Sequence, residues 1–273
     1  DVASTWMKDA KHVSVKTSQL TTSLTDQIYF EVMERDKFET LGRIIDIEPD
    51  FYGLVFCRTK IDSDNVSTRL IERGYDADTL HGDVSQAVRE KVLDKFRRKV
   101  ITILVATDVA ARGIDVDSLT HVINFSLPTD AESYVHRIGR TGRAGREGTA
   151  ITFVSPEEFR KLRYIQQASR SDIRREKVPS IEEVLARKRQ RIFAQLAGLT
   201  GPSMPDSDLP TGAPVAAAPA ANVPPAFQEL ADELLDQAAA KGTATRDLIA
   251  ALLHHGLRDE LDAGRYRKIT EIE

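Results

Sequence analysis

Between residues 25 and 155, short β-rich runs alternate with helical ones. Ile28–Val32, Leu54–Cys57, Asp78–His81, Ile101–Ala106, His121–Phe125 and Ala150–Val154 have the length and side chains of strands. Helical patterns intervene over Phe38–Ile47, over Val66–Arg73 ending at Gly74, and over Val88–Phe96, where Val88, Val92, Leu93 and Phe96 share a face. Strands written as apolar runs, rather than clean alternations, are buried on both sides. That predicts a parallel, doubly wound α/β sheet. Ligands of such sheets bind where strands end at their carboxyl side, which here means Arg58-Thr59-Lys60, His81-Gly82-Asp83, Thr107-Asp108 and Ser126.

The stretch Ser133–Arg143 carries the densest chemistry. Thr129 and Glu132 have the spacing of a capping box, so a helix is expected to start there. Ala131, Tyr134, Val135 and Ile138 form its buried face, which places His136 and Arg140 together on the outward side. Gly139 and Gly142 then loosen the helix so that Arg143 can turn back toward the same point. Three such cations suit a polyphosphate, since guanidinium groups match phosphate oxygens bidentately. The plainer reading is a solvated basic helix end. A dinucleotide fingerprint is excluded, because no G-x-G-x-x-G follows a strand.

After Ser155 the character changes. Residues 160–191 hold eleven Lys/Arg against four Asp/Glu. Ile181, Val184, Leu185, Ile192 and Leu196 predict a long amphipathic helix. Gly201 to Pro225 is rich in Pro and Ala, has only two charges, Asp206 and Asp208, and reads as a linker or loop. Two more apolar stripes follow: Phe227, Leu230, Ala231, Leu234, Leu235 and Ala238, closed by Gly242; then Leu248, Ile249, Leu252, Leu253 and Leu257, with Thr245 as N-cap. Three short helices are thin for a core of their own, so they either pack on the α/β domain or self-associate.

Composition narrows the options. The net charge of -4 places any nucleic-acid binding on a local patch. A single cysteine, Cys57, excludes a disulfide framework and a cysteine zinc site and fits a reducing cytosol; within an apolar strand it is a core residue rather than a nucleophile. No segment has membrane-spanning length or a signal-peptide pattern, and the missing initiator Met points to an excised fragment.

Several loops gain meaning together. Leu54–Lys60 ends in a hydroxyl flanked by cations; Gly82 lets a backbone approach closely; Gln86 and Arg89 open a helix whose amino end favours an anion. In Val105–Asp115 a carboxylate can meet ribose hydroxyls or hold an arginine by ion pair. LVFCRTK, HGD with QAVR, ATDVAARGID and HRIGRTGR resemble, in order and spacing, motifs IV, IVa, V and VI of the DEAD-box RNA helicases. The resemblance covers roughly residues 25–160, the C-terminal of that family's two RecA-like domains. The histidine-led last motif separates it from RecQ-type DNA helicases and DEAH proteins. The run Val178–Arg189 and the helices behind it resemble the dimerisation region of bacterial cold-shock-type members.

The resemblance implies a domain order of 1–24 linker, 25–168 RecA-like domain and 169–273 helical dimerisation domain containing the 201–225 loop. It implies Arg140 and Arg143 as arginine fingers and His136 as the coupler of nucleotide to RNA. Asp115 and Gly113 would help bind ATP, with Asp115 at the ribose or ordering Arg112. Thr59, Gly82, Arg89 and Thr107 would grip the RNA backbone, and Arg112 and Arg137 would serve the inter-domain interface. The sequence has no G-x-x-x-x-G-K-[ST] loop, no Asp-Glu-Ala-Asp and no adenine-reading glutamine motif. ATP and the ligands of Mg²⁺ would therefore need an N-terminal RecA-like partner domain. The expected partners are RNA, that domain, and a second copy of the chain through residues 175–273, in a cytoplasmic protein without membrane contact. The competing expectation is a non-enzymatic dimeric scaffold that uses residues 160–191 as an RNA or ribosome contact.

Overall fold

The computed structural model describes residues 24–111, 114, 116, 119–142, 145–199 and 224–270. The described residues form two compact units. The first holds the chain up to Phe38, Asp50–Val178 and Thr270 onward; the second holds Glu39–Pro49 and Pro179–Ile269.

The first unit is a seven-stranded parallel sheet, ordered β3-β4-β2-β5-β6-β1-β7. Its strands are β1 (Thr25–Glu31), β2 (Gly53–Cys57), β3 (Ala77–Leu80), β4 (Ile103–Thr107), β5 (His121–Asn124), β6 (Gly148–Val154) and β7 (Arg174–Glu176). Every residue of β2 and of β5 is buried, as central strands covered on both faces demand. Leu54 and Phe56 of β2 join Leu104 and Ala106 of β4 in one core cluster with Val92, Leu93 and Phe96 of helix α3 (Gln86–Arg97). A second cluster joins Tyr29, Ala150 and Val154 to Tyr134 and Ile138 of helix α5 (Ala131–Ile138) and to Leu162 and Ile165 of helix α6 (Phe159–Ser169).

From β2 the chain proceeds outward to β3, and from β5 it proceeds the other way to β6. The neighbouring pair β2/β5 is therefore the topological switch point, where the carboxyl ends of an open sheet leave a crevice.

All six predicted strands are present. The seventh, β7, lies in the basic stretch and pairs with β1 through Ile28–Arg174. Residues 160–191 hold α6, β7 and the start of α7 (Ile181–Leu199), and α7 is the predicted amphipathic helix. Helix α2 (Lys60–Glu72) begins well before Val66, because Thr59 and Asp62 form a reciprocal capping box. The N-cap of α5 is Asp130, not Thr129: its carboxylate accepts from Ser133 N–H at 2.8 Å. Val88 is exposed, whereas the other three residues of its predicted face are buried.

The second unit takes up most of helix α1 (Lys37–Ile47) and holds α7, α8 (Pro225–Ala240) and α9 (Thr245–Leu257). Thr245 is the first residue of α9, and its N-cap is Ala244, without a side-chain cap. Buried polar groups fasten this unit. Arg43 donates to Glu39 at 3.4 Å and to the carbonyl of Pro179 at 2.9 Å, and bonds the carbonyl of Arg267. Asp46 meets Lys188 at 3.0 Å and the hydroxyl of Tyr266 at 2.6 Å. The predicted apolar stripes exist, but Phe227 is 63% exposed, Leu230 51% and Ile249 51%. No helix among the described residues is long and apolar enough to cross a membrane.

Candidate functional site

The chemistry lies in the first unit, at the carboxyl ends of adjacent strands. After β2, Thr59 exchanges hydrogen bonds with Asp62: Asp62 N–H donates to Thr59 Oγ1 at 3.1 Å, and Thr59 N–H donates back at 3.3 Å. The hydroxyl predicted to grip a nucleic-acid backbone is therefore also a helix cap. Arg58 N–H donates to Ser126 Oγ at 3.2 Å, tying the end of β2 to that of β5 across the switch point.

After β3, Asp83 N–H donates to His81 Nδ1 at 3.3 Å, which puts the ring proton of the neutral imidazole on Nε2, 2.9 Å from Asp64. Lys60 and Asp83 form an exposed ion pair. Their mutual hydrogen bond holds the Asp83 carboxyl below its ordinary range and the Lys60 ammonium above its own. A Cβ on Gly82 would meet nothing within 4 Å, so no internal packing requires glycine there.

After β4 comes a single turn, α4 (Asp108–Ala111), held by arginines from two neighbouring helices. Arg89 of α3 donates to the carbonyl of Ala110 at 2.6 Å. Arg137 of α5 grips Asp108 with Nε at 2.6 Å and Nη2 at 2.8 Å. Arg140 donates to the carbonyl of Ile114 at 3.0 Å. Thr107, which precedes the turn, is half-buried.

Helix α5 is fixed from both ends. Asp130 caps it, and the Ser133 N–H and Thr129 hydroxyl hold that carboxyl below its ordinary range. Tyr134 donates its hydroxyl to Gln27 at 2.8 Å. Arg137, placed by sequence at the inter-domain surface, is 3% exposed. Besides Asp108 it donates to Asn124 Oδ1 at 3.0 Å and to the Ser126 carbonyl at 2.8 Å, and its guanidinium lies over Phe56 at 4.9 Å. Its bonds therefore run inside the domain. Of the two roles open to the carboxylates of this loop, Asp108 takes the arginine-holding one.

His136 and Arg140 do share a cleft, with Phe56, Asp108, Ala111, Ser133 and Arg137 as its other walls. His136 is exposed and Arg140 half-buried. Beyond them Gly142 has φ of +68°, the left-handed bend that the reversal needs. Arg143, Arg112, Gly113 and Asp115 lie outside the described residues. Asn124 and Phe56 were not singled out from sequence, because a strand residue that contacts Arg137 looks like any other core position. Cys57 is buried, and burial pushes its thiol up to about 12, so it holds no thiolate at neutral pH.

Comparison with known proteins fits this geometry. Residues 36–145 match the helicase conserved C-terminal domain family. The chain is 48% identical over 189 residues to the DEAD-box ATP-dependent RNA helicase CshA of Bacillus subtilis, covering 69% of this chain and 38% of that protein. It thus spans about two fifths of the length of such curated relatives. Among solved structures, a DEAD box protein from the hyperthermophile Methanococcus jannaschii superposes with a TM-score of 0.54 at 45% identity, over 64% of this chain and 47% of that one. The C-terminal domain of the DEAD-box protein Dbp5 superposes with a TM-score of 0.55 at 32% identity, over 63% of this chain and 98% of that domain. With its motif-bearing strand ends in place and nearly the whole of a C-terminal domain matched, the chain belongs to the DEAD-box RNA helicase family, and its parallel sheet is that family's C-terminal RecA-like domain.

Proposed function

We propose that this chain supplies the C-terminal half of an ATP-dependent RNA helicase that opens short duplexes locally. The observation carrying the reading is that His136 and Arg140 line one cleft while Thr59, Gly82 and Thr107 lie at the carboxyl ends of β2, β3 and β4, which are neighbours in the sheet. The cleft's cationic outer residues suit a polyanion arriving from outside this chain. Arg140 and Arg143 serve as arginine fingers toward ATP on the partner RecA-like domain, a role worth ~10³–10⁵ in rate. Bound ATP and Mg²⁺ provide the reactive phosphoryl group and neutralise its charge, with the metal's ligands on that partner domain.

The residues of this chain do the positioning. Arg137 and Asp108 fix α5 against the turn after β4. His136 sits between nucleotide and RNA; Asp115 and Gly113 complete the nucleotide side, with Arg112 at the inter-domain surface. Thr59, Gly82, Arg89 and Thr107 hold the RNA backbone, which gives sequence-tolerant, salt-sensitive binding. Since RNA and ATP both favour closure of the two domains, each tightens the other. The test is the double variant Arg140→Ala, Arg143→Ala in the two-domain protein. It should lose RNA-stimulated ATP hydrolysis; unchanged turnover refutes the assignment.

The helices of residues 175–273 favour a second role, homodimerisation of a cytoplasmic, cold-shock-type protein. The support is an apolar groove of about 490 Å³ between α7 and the end of α9, lined by Ile192, Phe193, Leu196, Leu253, Leu257 and Leu261. A monomeric mass by light scattering at micromolar concentration would end that reading, and with it the scaffold alternative.

A further inference from the structure

Helix α5 has eight residues, about two turns, and buries Tyr134, Arg137 and Ile138. Apolar burial is non-directional, so by itself it holds so short a helix only loosely against rotation. A chain of buried hydrogen bonds supplies the direction. Arg137 Nη1 donates to Asn124 Oδ1 at 3.0 Å, and Asn124 Nδ2 donates to Thr152 Oγ1 at 3.1 Å. These two partners settle which way the Asn124 amide faces. One turn earlier on α5, the Tyr134 hydroxyl donates to Gln27 Oε1 at 2.8 Å, and Thr152 hydrogen-bonds that same hydroxyl. Gln27, Asn124, Tyr134, Arg137 and Thr152 are all buried.

The sheet makes this path possible. Strands β5, β6 and β1 are neighbours; Asn124 is in register with Thr152, and Thr152 with Tyr29. Gln27, two residues before Tyr29, lies on the same face. The bonds therefore leave α5 at Arg137, cross β5 and β6, return to the helix at Tyr134 and end on β1. Burial holds the Tyr134 phenol above its ordinary pKa, so its proton stays in place for Gln27. With that proton spent, Thr152 is the donor to Tyr134. Every donor then points from the Arg137 guanidinium toward Gln27, an order in which hydrogen bonds polarise one another. The outward side of the helix follows this clasp. Arg140 N–H donates to the Arg137 carbonyl at 3.1 Å, and His136 immediately precedes Arg137. Rotating α5 by roughly 10° would carry the groups on its surface about 1 Å, a misplacement that can cost up to ~10²-fold in rate.

We infer that Asn124, Thr152, Tyr134 and Gln27 are positioning residues for ATP hydrolysis, fixing through Arg137 and the backbone of α5 where His136 and Arg140 stand. None of the four lines the cleft that His136 and Arg140 share, so they act only through the helix. The inference rests on the arginine-finger reading above and extends it to the sheet face behind α5.

The test is RNA-stimulated ATP hydrolysis by the two-domain protein carrying Thr152→Val or Thr152→Ser, assayed well below the melting temperature of each. Valine keeps the shape and loses the hydroxyl; serine keeps the hydroxyl and loses a methyl. Thr152→Val should lower kcat roughly three- to ten-fold while KM for ATP stays within about two-fold, because the helix is displaced rather than the nucleotide released. Thr152→Ser should stay near the wild-type kcat. A packing role predicts the reverse order, since only serine leaves a cavity. An unchanged kcat for Thr152→Val, a larger fall for Thr152→Ser, or a raised KM at constant kcat overturns the inference. Should Thr152→Val not fold, Tyr134→Phe, which deletes one oxygen, decides by the same kcat criterion. Arg140→Ala runs beside them. If it abolishes turnover while the hydroxyl variants do not lower it, this inference alone fails; if it leaves turnover intact, the arginine-finger reading fails and takes this inference with it.

Discussion

Replacing Arg137 by Met probes the group on which the geometry of α5 turns. The methionine fills the space beside Phe56 but removes four hydrogen bonds, two to Asp108 and one each to Asn124 and the Ser126 carbonyl. Asp108 is 40% exposed, so water can take over its carboxylate and that half of the pair contributes little to the loss. The larger part comes from the buried acceptors. Asn124 is fully buried and Ser126 nearly so, and each loses a charge-assisted donor, at about 1–3 kcal/mol apiece. The expected destabilisation is about 3 kcal/mol, at the low end for breaking a buried ion pair. Hydrogen-exchange mass spectrometry in a urea series, reading peptides from β2, β4 and β5, measures it within the sheet unit. A double-mutant cycle with Asp108→Asn should show coupling on the order of 1 kcal/mol. Arg137→Lys should recover only part of the loss, because one ammonium cannot reproduce the planar fork. A loss below about 1 kcal/mol, or strictly additive effects of the two substitutions, would refute the idea that this pair braces the helix carrying His136 and Arg140.

Other perturbations have definite signs. Burial lowers the His121 pKa to about 4, so the unfolded chain binds the extra proton between its ordinary value and about 4. Stability should therefore fall by about 1.4 kcal/mol per pH unit as acid is added through that window, about 3 kcal/mol in all, and His121→Leu should flatten the profile. Gly148→Ala puts a Cβ 1.9 Å from Thr141 Oγ1 and 2.8 Å from Gly142 N. The backbone must shift, for a loss of about 3 kcal/mol seen as a lower melting temperature. Asp130→Ala should cost about 1 kcal/mol of stability above pH 4, and that cost should shrink as acid takes the pH down through the carboxylate's depressed folded value. Cys57 should resist iodoacetamide in the folded protein and react once denaturant unfolds it, as intact mass would record.

The sheet was legible because burial on both faces leaves a blunt signature: Leu54–Cys57 of β2 and Ile103–Ala106 of β4 are unbroken apolar runs set between helical patterns. β7 was not legible, since Arg174-Arg175-Glu176 is an exposed edge that pairs on one side only and has no hydrophobic period to read. The start of α2 was hidden for a different reason. Its first two residues, Lys60 and Ile61, are exposed, and the turn is held by the Thr59–Asp62 box rather than by packing. At the site, sequence brought His136 and Arg140 together correctly, because a fixed helical period decides which residues share a face. It did not foresee the bonds of Arg137 within the sheet unit, because the same wheel says nothing about Asp108, which follows β4, or Asn124, which ends β5. The fastening of Tyr266 and Arg267 onto α1 was invisible as well, resting on single hydrogen bonds across more than 200 residues.

Side chains at the strand ends divide by whether folding already employs them. Thr59 caps a helix, Arg89 and Arg140 hold carbonyls around the turn after β4, and Arg137 is consumed by its own domain; a stability loss on mutating any of these would say little about ligands. Gly82 and His136 differ. Glycine is unneeded by the packing of the described residues around residue 82, and His136 is exposed on the cleft wall. Substitutions at these two should leave stability unchanged or raised while changing binding, which is the combination that a purely architectural account of the same strand ends cannot produce. The positions that folding does not explain are therefore where function is read most cleanly.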